Sequence, residues 1–359
     1  MERIVKISAA LVLVTLCLGA CRKEDYAGKS VRIGARISAR SANTKTLYSD
    51  ERYTVGEKEY ERIDWVNGDA IKLAMQNSEF NELSADHFAS CNYNIGGITA
   101  NGRYSEAKLT PVPASVSPSG AAPADKGLCW GTGSHFFWAA YPATATVGER
   151  TVSGNYPASQ ELVYSTTDDG VTYFSPDMNK AYMVAGLATD APEDHVDLDF
   201  YPAMTTFDFT VGANTDLVIT AFEMETVSSG LSGSNVYLTG DFTASFDSNM
   251  NWTFSSSNQG QSIAGVFSSN VSVSPATTFR FKIFALPQDI TGITIKFTDS
   301  NGVSRSLKLK QNDDWIVFPA CVKANIRGLL IPGAIWYIDF EGPYVEQWTE
   351  HAEIEIGVE

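Results

Sequence analysis

Few residues in this chain have types and spacings that could do chemistry. Four histidines, His87, His135, His195 and His351, supply the only imidazoles for proton transfer or metal ligation. They are widely spaced and mostly stand beside acidic or aromatic neighbours, a setting that suits core or surface histidines rather than a ligand set. Paired carboxylates, which general acid–base work would use, occur at Asp168-Asp169, Asp197/Asp199 and Asp313-Asp314. The first and last read as turns, and the middle pair reads as the wet face of a strand. Gly131-Thr132-Gly133 lacks the third glycine of a dinucleotide loop, and the glycines around Ser232 miss a nucleophile elbow by one place. The run from Asp247 begins like an EF-hand loop, but Trp252 stands where glycine is required. No enzyme centre, metal or cofactor is expected.

One cysteine points instead to a covalent modification. Arg3 and Lys6 give a positive start, and Ile7 to Leu18 form an apolar stretch diluted only by Ser8, Thr15 and Cys17. Residues 1–20 therefore read as a signal peptide, too short for a stable membrane span. The stretch ends Leu18-Gly19-Ala20-Cys21, which resembles a lipobox, where the cysteine sulfur carries diacylglycerol before cleavage. Lipidation of Cys21 is expected, with the mature protein starting there. Cys91, Cys129 and Cys321 are odd in number and lack CxxC spacing. They read as buried free thiols, with one bridge between Cys91 and Cys129 left open.

The elements that would hold these residues are strands. At 359 residues, 44% hydrophobic and 19% charged, the chain has room for two domains with real cores. A formal charge of −16 and the lack of basic patches argue against nucleic acid and anionic lipid surfaces as partners. After a polar tether at 22–30, Val31, Ile33, Ala35 and Ile37 alternate with Arg32, Gly34, Arg36 and Ser38, the period of a half-buried strand. Residues 41–61 read as a polar, mobile connection, and the Pro-, Ser- and Ala-rich stretch 111–127 as a loop. "HFFWAAYPA" from His135 reads as a buried aromatic strand closed by proline. A domain boundary is placed near 192, dividing 41–191 from 192–348.

The second half reads as successive strands, with a hairpin turning at Asn301-Gly302. No window gives a convincing amphipathic helix, so two antiparallel β-sandwiches are expected. The chain ends with Ala352, Ile354, Ile356 and Val358 on one face, and Glu353, Glu355, Gly357 and Glu359 on the other. The aromatics Trp130, Trp138, Tyr141, Tyr156, Tyr164 and Tyr173 fit a core, although grouped on a surface they would make a glycan platform.

Taken in order, the lipobox, the alternating strand, the Arg-containing loop, "IDWVNGD", "HFFWAAYPA", "AYMVAG", "LDFYPAMTTFDFTV", "FALPQ", "FPACVKANIRGLLI" and a terminal strand after a tryptophan resemble the fimbrillin family. These are Bacteroidales pilins and related Mfa-like surface lipoproteins. The resemblance implies two tandem transthyretin-like β-sandwiches in an all-β chain, exported as a lipoprotein precursor to the outer membrane and cell surface. It implies that a trypsin-like, arginine-specific protease cuts after the first strand, and that a strand from another fimbrillin subunit fills the groove so opened. Carried onto this sequence, Cys21 is the lipid site, and Val31, Ile33, Ala35 and Ile37 plug the groove within the segment 21–40. Arg40 is the processing site, with Arg36 the alternative. Ala352, Ile354, Ile356 and Val358, in the segment 349–359, become donor side chains of a stalk-type subunit. The competing reading is a monomeric lipid-anchored surface protein that binds glycans or host ligands.

Overall fold

The computed structural model describes residues 33–38, 47–55, 58–76, 88–101, 104–119, 126–131, 133–166, 171–193, 195–227, 235–311, 314–331 and 334–339. In chain order the strands begin with β1 (Ile33–Ser38), β2 (Leu47–Val55), β3 (Lys58–Asp64), β4 (Ala70–Gln76), β5 (Phe88–Asn101), β6 (Tyr104–Ser117), β7 (His135–Tyr141) and β8 (Thr146–Gly148). They continue with β9 (Thr151–Tyr156), β10 (Ser159–Thr166), β11 (Thr172–Ser175), β12 (Met183–Thr189), β13 (Val196–Pro202), β14 (Thr205–Ala213), β15 (Leu217–Thr226), β16 (Thr239–Phe246) and β17 (Trp252–Gly260). The last are β18 (Ser262–Phe267), β19 (Val271–Val273), β20 (Phe279–Ala285), β21 (Ile293–Asp299), β22 (Ser304–Lys308), β23 (Lys310–Gln311), β24 (Asp314–Trp315), β25 (Lys323–Ile331) and β26 (Ala334–Asp339). The chain is all-β, and no helix among the described residues is long and apolar enough to cross a membrane.

Seven strands close a barrel in the order β1-β13-β12-β7-β4-β5-β6. Trp65, Leu73, Tyr93, Phe137, Tyr141, Leu198 and Phe200 fill its interior. The outer face of β4, β7 and β12 is also covered. Ala74, Trp138, Ala140 and Val184 pack there against Val152, Tyr156, Phe242 and Ala244, within the core shared with the four-stranded sheet β17-β16-β9-β8. Burial on both faces is why "HFFWAAY" is almost continuously apolar instead of alternating.

A second, larger sheet runs β22-β21-β15-β18-β10-β11-β20-β14-β25-β26, with β19 beside β15. Its core is built on rings: Phe209 stacks on Phe281 at 4.8 Å, and Phe222 meets Phe281 edge-on at 4.8 Å. Most pairs are antiparallel, but β1–β13, β10–β18, β11–β20 and β14–β25 run parallel. The strands cross the position near 192. β10 and β11, before it, pair with β18 and β20 of the large sheet, whereas β13, after it, pairs with β12 and β1 of the barrel.

Two stretches expected to be irregular are strands. Within 41–61, β2 pairs with β3 as a hairpin, because Tyr48, Tyr53, Thr54, Val55 and Tyr60 favour extended backbone despite their charged neighbours. In 111–127, β6 continues through Pro111 and Pro113 to Ser117. The β5–β6 ladder shifts register between Ser90 and Asn92, the kind of irregularity at which proline is tolerated.

Candidate strand-acceptor slot

The barrel is closed by a strand from near the start of the chain. β1 lies between β13, to which it is parallel, and β6, to which it is antiparallel. Ile33, Ala35 and Ile37 pair in register with Val196, Leu198 and Phe200. On the other side Ala35 stands opposite Ala107, and Ile37 opposite Ser105. Those five partners are buried, so Ile33, Ala35 and Ile37 occupy the core-side positions of the strand.

The floor at one end of this slot is rigid. Trp65 meets Phe200 edge-on at 5.4 Å and Tyr141 at 5.7 Å, and its backbone N–H donates to Ser105 Oγ at 3.0 Å. The turn after it is tied by Asp69. Its Oδ2 accepts from the Val66 N–H at 3.0 Å, and its Oδ1 accepts from the Tyr141 hydroxyl at 3.2 Å. Gly68 supplies the φ of +97° that this turn requires. The "IDWVNGD" motif is thus a plug and tie at the barrel end.

The outward positions of the slot are charged. Glu106 and Asp199 flank Arg36 in register, and Lys108 and Asp197 flank Gly34. Asp197 is exposed and paired with His195 Nε2 at 2.8 Å. The sequence marks Asp199 only as part of a wet strand face and does not mark Glu106, because nothing local says that residues 106 and 199 share a neighbour.

The other candidate residues are structural. His135 is fully buried; its Nε2 accepts from the Gly131 N–H at 3.1 Å and its ring lies 4.8 Å from Trp130. Asp247 closes a turn, accepting from the backbone N–H groups of Asn249 and Asn251 at 2.8 and 3.0 Å. Burial opposes ionisation of its carboxyl, and these bonds hold it below the usual value nonetheless. Among the described residues no group of His, Cys, Asp and Glu could hold a metal. Cys91, Cys129 and Cys321 are buried free thiols, without the Cys91–Cys129 bridge. Of the six aromatics that would make a glycan platform if grouped on a surface, five are buried and only Tyr164 is exposed, at 51%.

No family model matches the chain, and no curated protein does either. Among solved structures, a Bacteroides uniformis protein assigned to cell adhesion aligns with a TM-score of 0.50 at 15% identity, covering 89% of this chain and 98% of its own. The chain shares that protein's fold. A Bacteroides ovatus protein with the same assignment aligns at TM-score 0.45 and 12% identity, covering 91% of this chain and all of its own. The tip fimbrial protein Mfa3 of Porphyromonas gingivalis, C-terminally truncated, aligns at 0.37 and 7%, covering 86% of this chain and 98% of its own. Cys21, Val31, Arg40, Ala352, Ile354, Ile356 and Val358 lie outside the described residues.

Proposed function

We propose that this protein is a stalk-type structural subunit of a cell-surface fimbria, of the fimbrillin type, that supports adhesion. In this reading it is exported as a lipoprotein precursor held in the outer membrane through Cys21. An arginine-specific, trypsin-like protease then releases it for polymerisation with other fimbrillin subunits. The observation that carries the reading is the place of β1, the one strand joining β6 to β13 in the barrel. Taking it out would leave two unpaired strand edges above Val196, Leu198, Phe200 and Ala107.

A strand from another subunit would satisfy both edges and send alternate side chains inward, which is β-augmentation. Each branched side chain so buried is worth about 1.5–3 kcal/mol. The terminal residues Ala352, Ile354, Ile356 and Val358 have the required alternation. Arg36 lies inside β1 with pairing on both edges, a poor substrate for a protease, whereas Arg40 follows β1 by two residues. Arg40 is therefore the proposed cut. The fold shared with an adhesion-assigned protein is consistent with this role.

Limited trypsin treatment of the purified precursor tests it. N-terminal sequencing should show a new start after Arg40, and the product should form ladders that resist SDS. A product that starts after Arg40 and stays monomeric would refute assembly by exchange.

A further inference from the structure

The slot carries a charge pattern that discriminates among incoming strands; the inference rests on the exchange reading above. Glu106 on β6 and Asp199 on β13 stand directly across from Arg36, one on each side. Their chain neighbours Ser105, Ala107, Leu198 and Phe200 are buried in the barrel, so both carboxylates face outward. One step along, Asp197 and Lys108 flank Gly34, and Asp197 is already paired with His195. Two carboxylates thus bracket the outward position that β1 fills with arginine.

The chain's own terminus has the opposite signature. With Ala352, Ile354, Ile356 and Val358 turned inward, its outward residues are Glu353, Glu355, Gly357 and Glu359. Period two fixes that assignment whichever way the strand runs. Three of the four possible residues at the Arg36 position are then glutamates, lined up with Glu106 and Asp199 on adjacent strands less than 5 Å apart. Placing Gly357 there instead moves Glu355 or Glu359 beside Asp197 and Lys108. No register that seats Glu353, Glu355, Gly357 or Glu359 there puts a lysine or arginine between the two carboxylates.

Like charges directly opposite one another weaken strand pairing, and opposite charges support it. We infer that this slot prefers a strand whose apolar residues alternate with a basic residue at the Arg36 position, supplied by a different subunit, over the acidic tail of its own kind. The acidic tail of this chain still fits the slot of a like subunit by its apolar face but pairs there less well, so this subunit alone still assembles, and a mixture with a basic-strand subunit alternates. Repulsion supplies the discrimination, as in other interfaces that must reject a near-identical partner.

Two synthetic peptides test this against the trypsin-processed, folded protein: residues 350–359 as they stand, and the same peptide carrying Glu353→Lys and Glu355→Lys. Their apolar faces are identical. The lysine peptide should bind at least about tenfold more tightly in low salt, from several cross-strand charge pairs reversed together. The gap should narrow in high salt. Neutralising the slot with Glu106→Gln and Asp199→Asn should remove it. An acidic peptide that binds as tightly as the lysine peptide, or a preference that survives in the neutralised slot, overturns the charge inference and leaves strand exchange standing. If neither peptide binds, strand exchange itself fails, and the charge inference with it.

Discussion

Lys323 Nζ lies 3.1 Å from Asp208 Oδ2, and each of these side chains is only 2% exposed. Lys282 Nζ approaches the same oxygen at 3.3 Å and Arg280 Nη2 at 3.4 Å. Asp208 sits on β14 in register with Lys282 of β20 on one side and Asn325 of β25 on the other. Lys282 also lies 5.3 Å over the ring of Tyr173, on β11. One carboxylate therefore ties together strands from both halves of the chain. Burial pushes its pKa up, but the three cations outweigh that and hold it well below the usual carboxylate range.

Replacing Asp208 with asparagine should cost about 3–5 kcal/mol, because buried lysines lose the carboxylate they converge on. Guanidinium unfolding at neutral pH would measure it. The folded carboxyl titrates below its unfolded value of about 3.9, so this stabilisation is intact at neutral pH. It is lost only as the pH falls below about 4 toward the depressed folded value. A variant as stable as the parent at pH 7 would show that the cluster contributes nothing.

Gly154 on β9 marks how tightly the layer between the barrel and the four-stranded sheet is packed. A Cβ there would stand 2.5 Å from Tyr182 Cζ and 2.6 Å from Phe242 Cε1, both in buried rings. Gly154→Ala should destabilise by about 1–3 kcal/mol, read as a lowered Tm. Gly96→Ala, which meets nothing within 4 Å, is the control and should change stability by less than about 0.5 kcal/mol.

The three cysteines after Cys21 should be silent to thiol reagents in the folded protein. All are buried. Burial pushes the Cys91 thiol up, and pushes Cys321 up to about 12. A chain starting at residue 22 should give no titratable thiol when native and three in guanidinium. Rapid labelling of the native protein would place at least one of them within reach of solvent.

In the exchange reading the donated strand completes a neighbour's barrel and not its own, so removing residues 350–359 should leave a folded monomer that trypsin still processes. Circular dichroism would report the fold and SDS gels the absence of ladders. Equal polymerisation by the shortened chain would rule out the tail as donor.

How much of this was legible in the residues varies with the range of the interaction. The alternation at Ile33, Ala35 and Ile37 is local and announces a strand with one core face. The buried aromatics, apart from Tyr164, follow from their apolar surroundings. Val196, Leu198 and Phe200 also alternate, but alternation cannot say which core they enter. They face the barrel rather than the large sheet that follows them. The parallel pairs β10–β18 and β11–β20 join residues about a hundred positions apart, for which no short-range signal exists. The β2–β3 hairpin was hidden by charge: its Tyr, Thr and Val residues are interleaved with Glu, Asp, Lys and Arg.

The two-sided pairing of β1 has a mechanical consequence. A strand bonded along both edges and pulled along its own axis is loaded in shear, so its hydrogen bonds must give way together. A strand at a sheet edge, pulled sideways, unzips one bond at a time. Ladders run from Gly34 to Ser38 against β6 and from Ile33 to Ile37 against β13. A foreign strand seated in the same place would inherit both. Under tension along the fibre, the joint would hold like a lap seam, and its lifetime would follow the barrier to pulling it out rather than the equilibrium affinity of the strand.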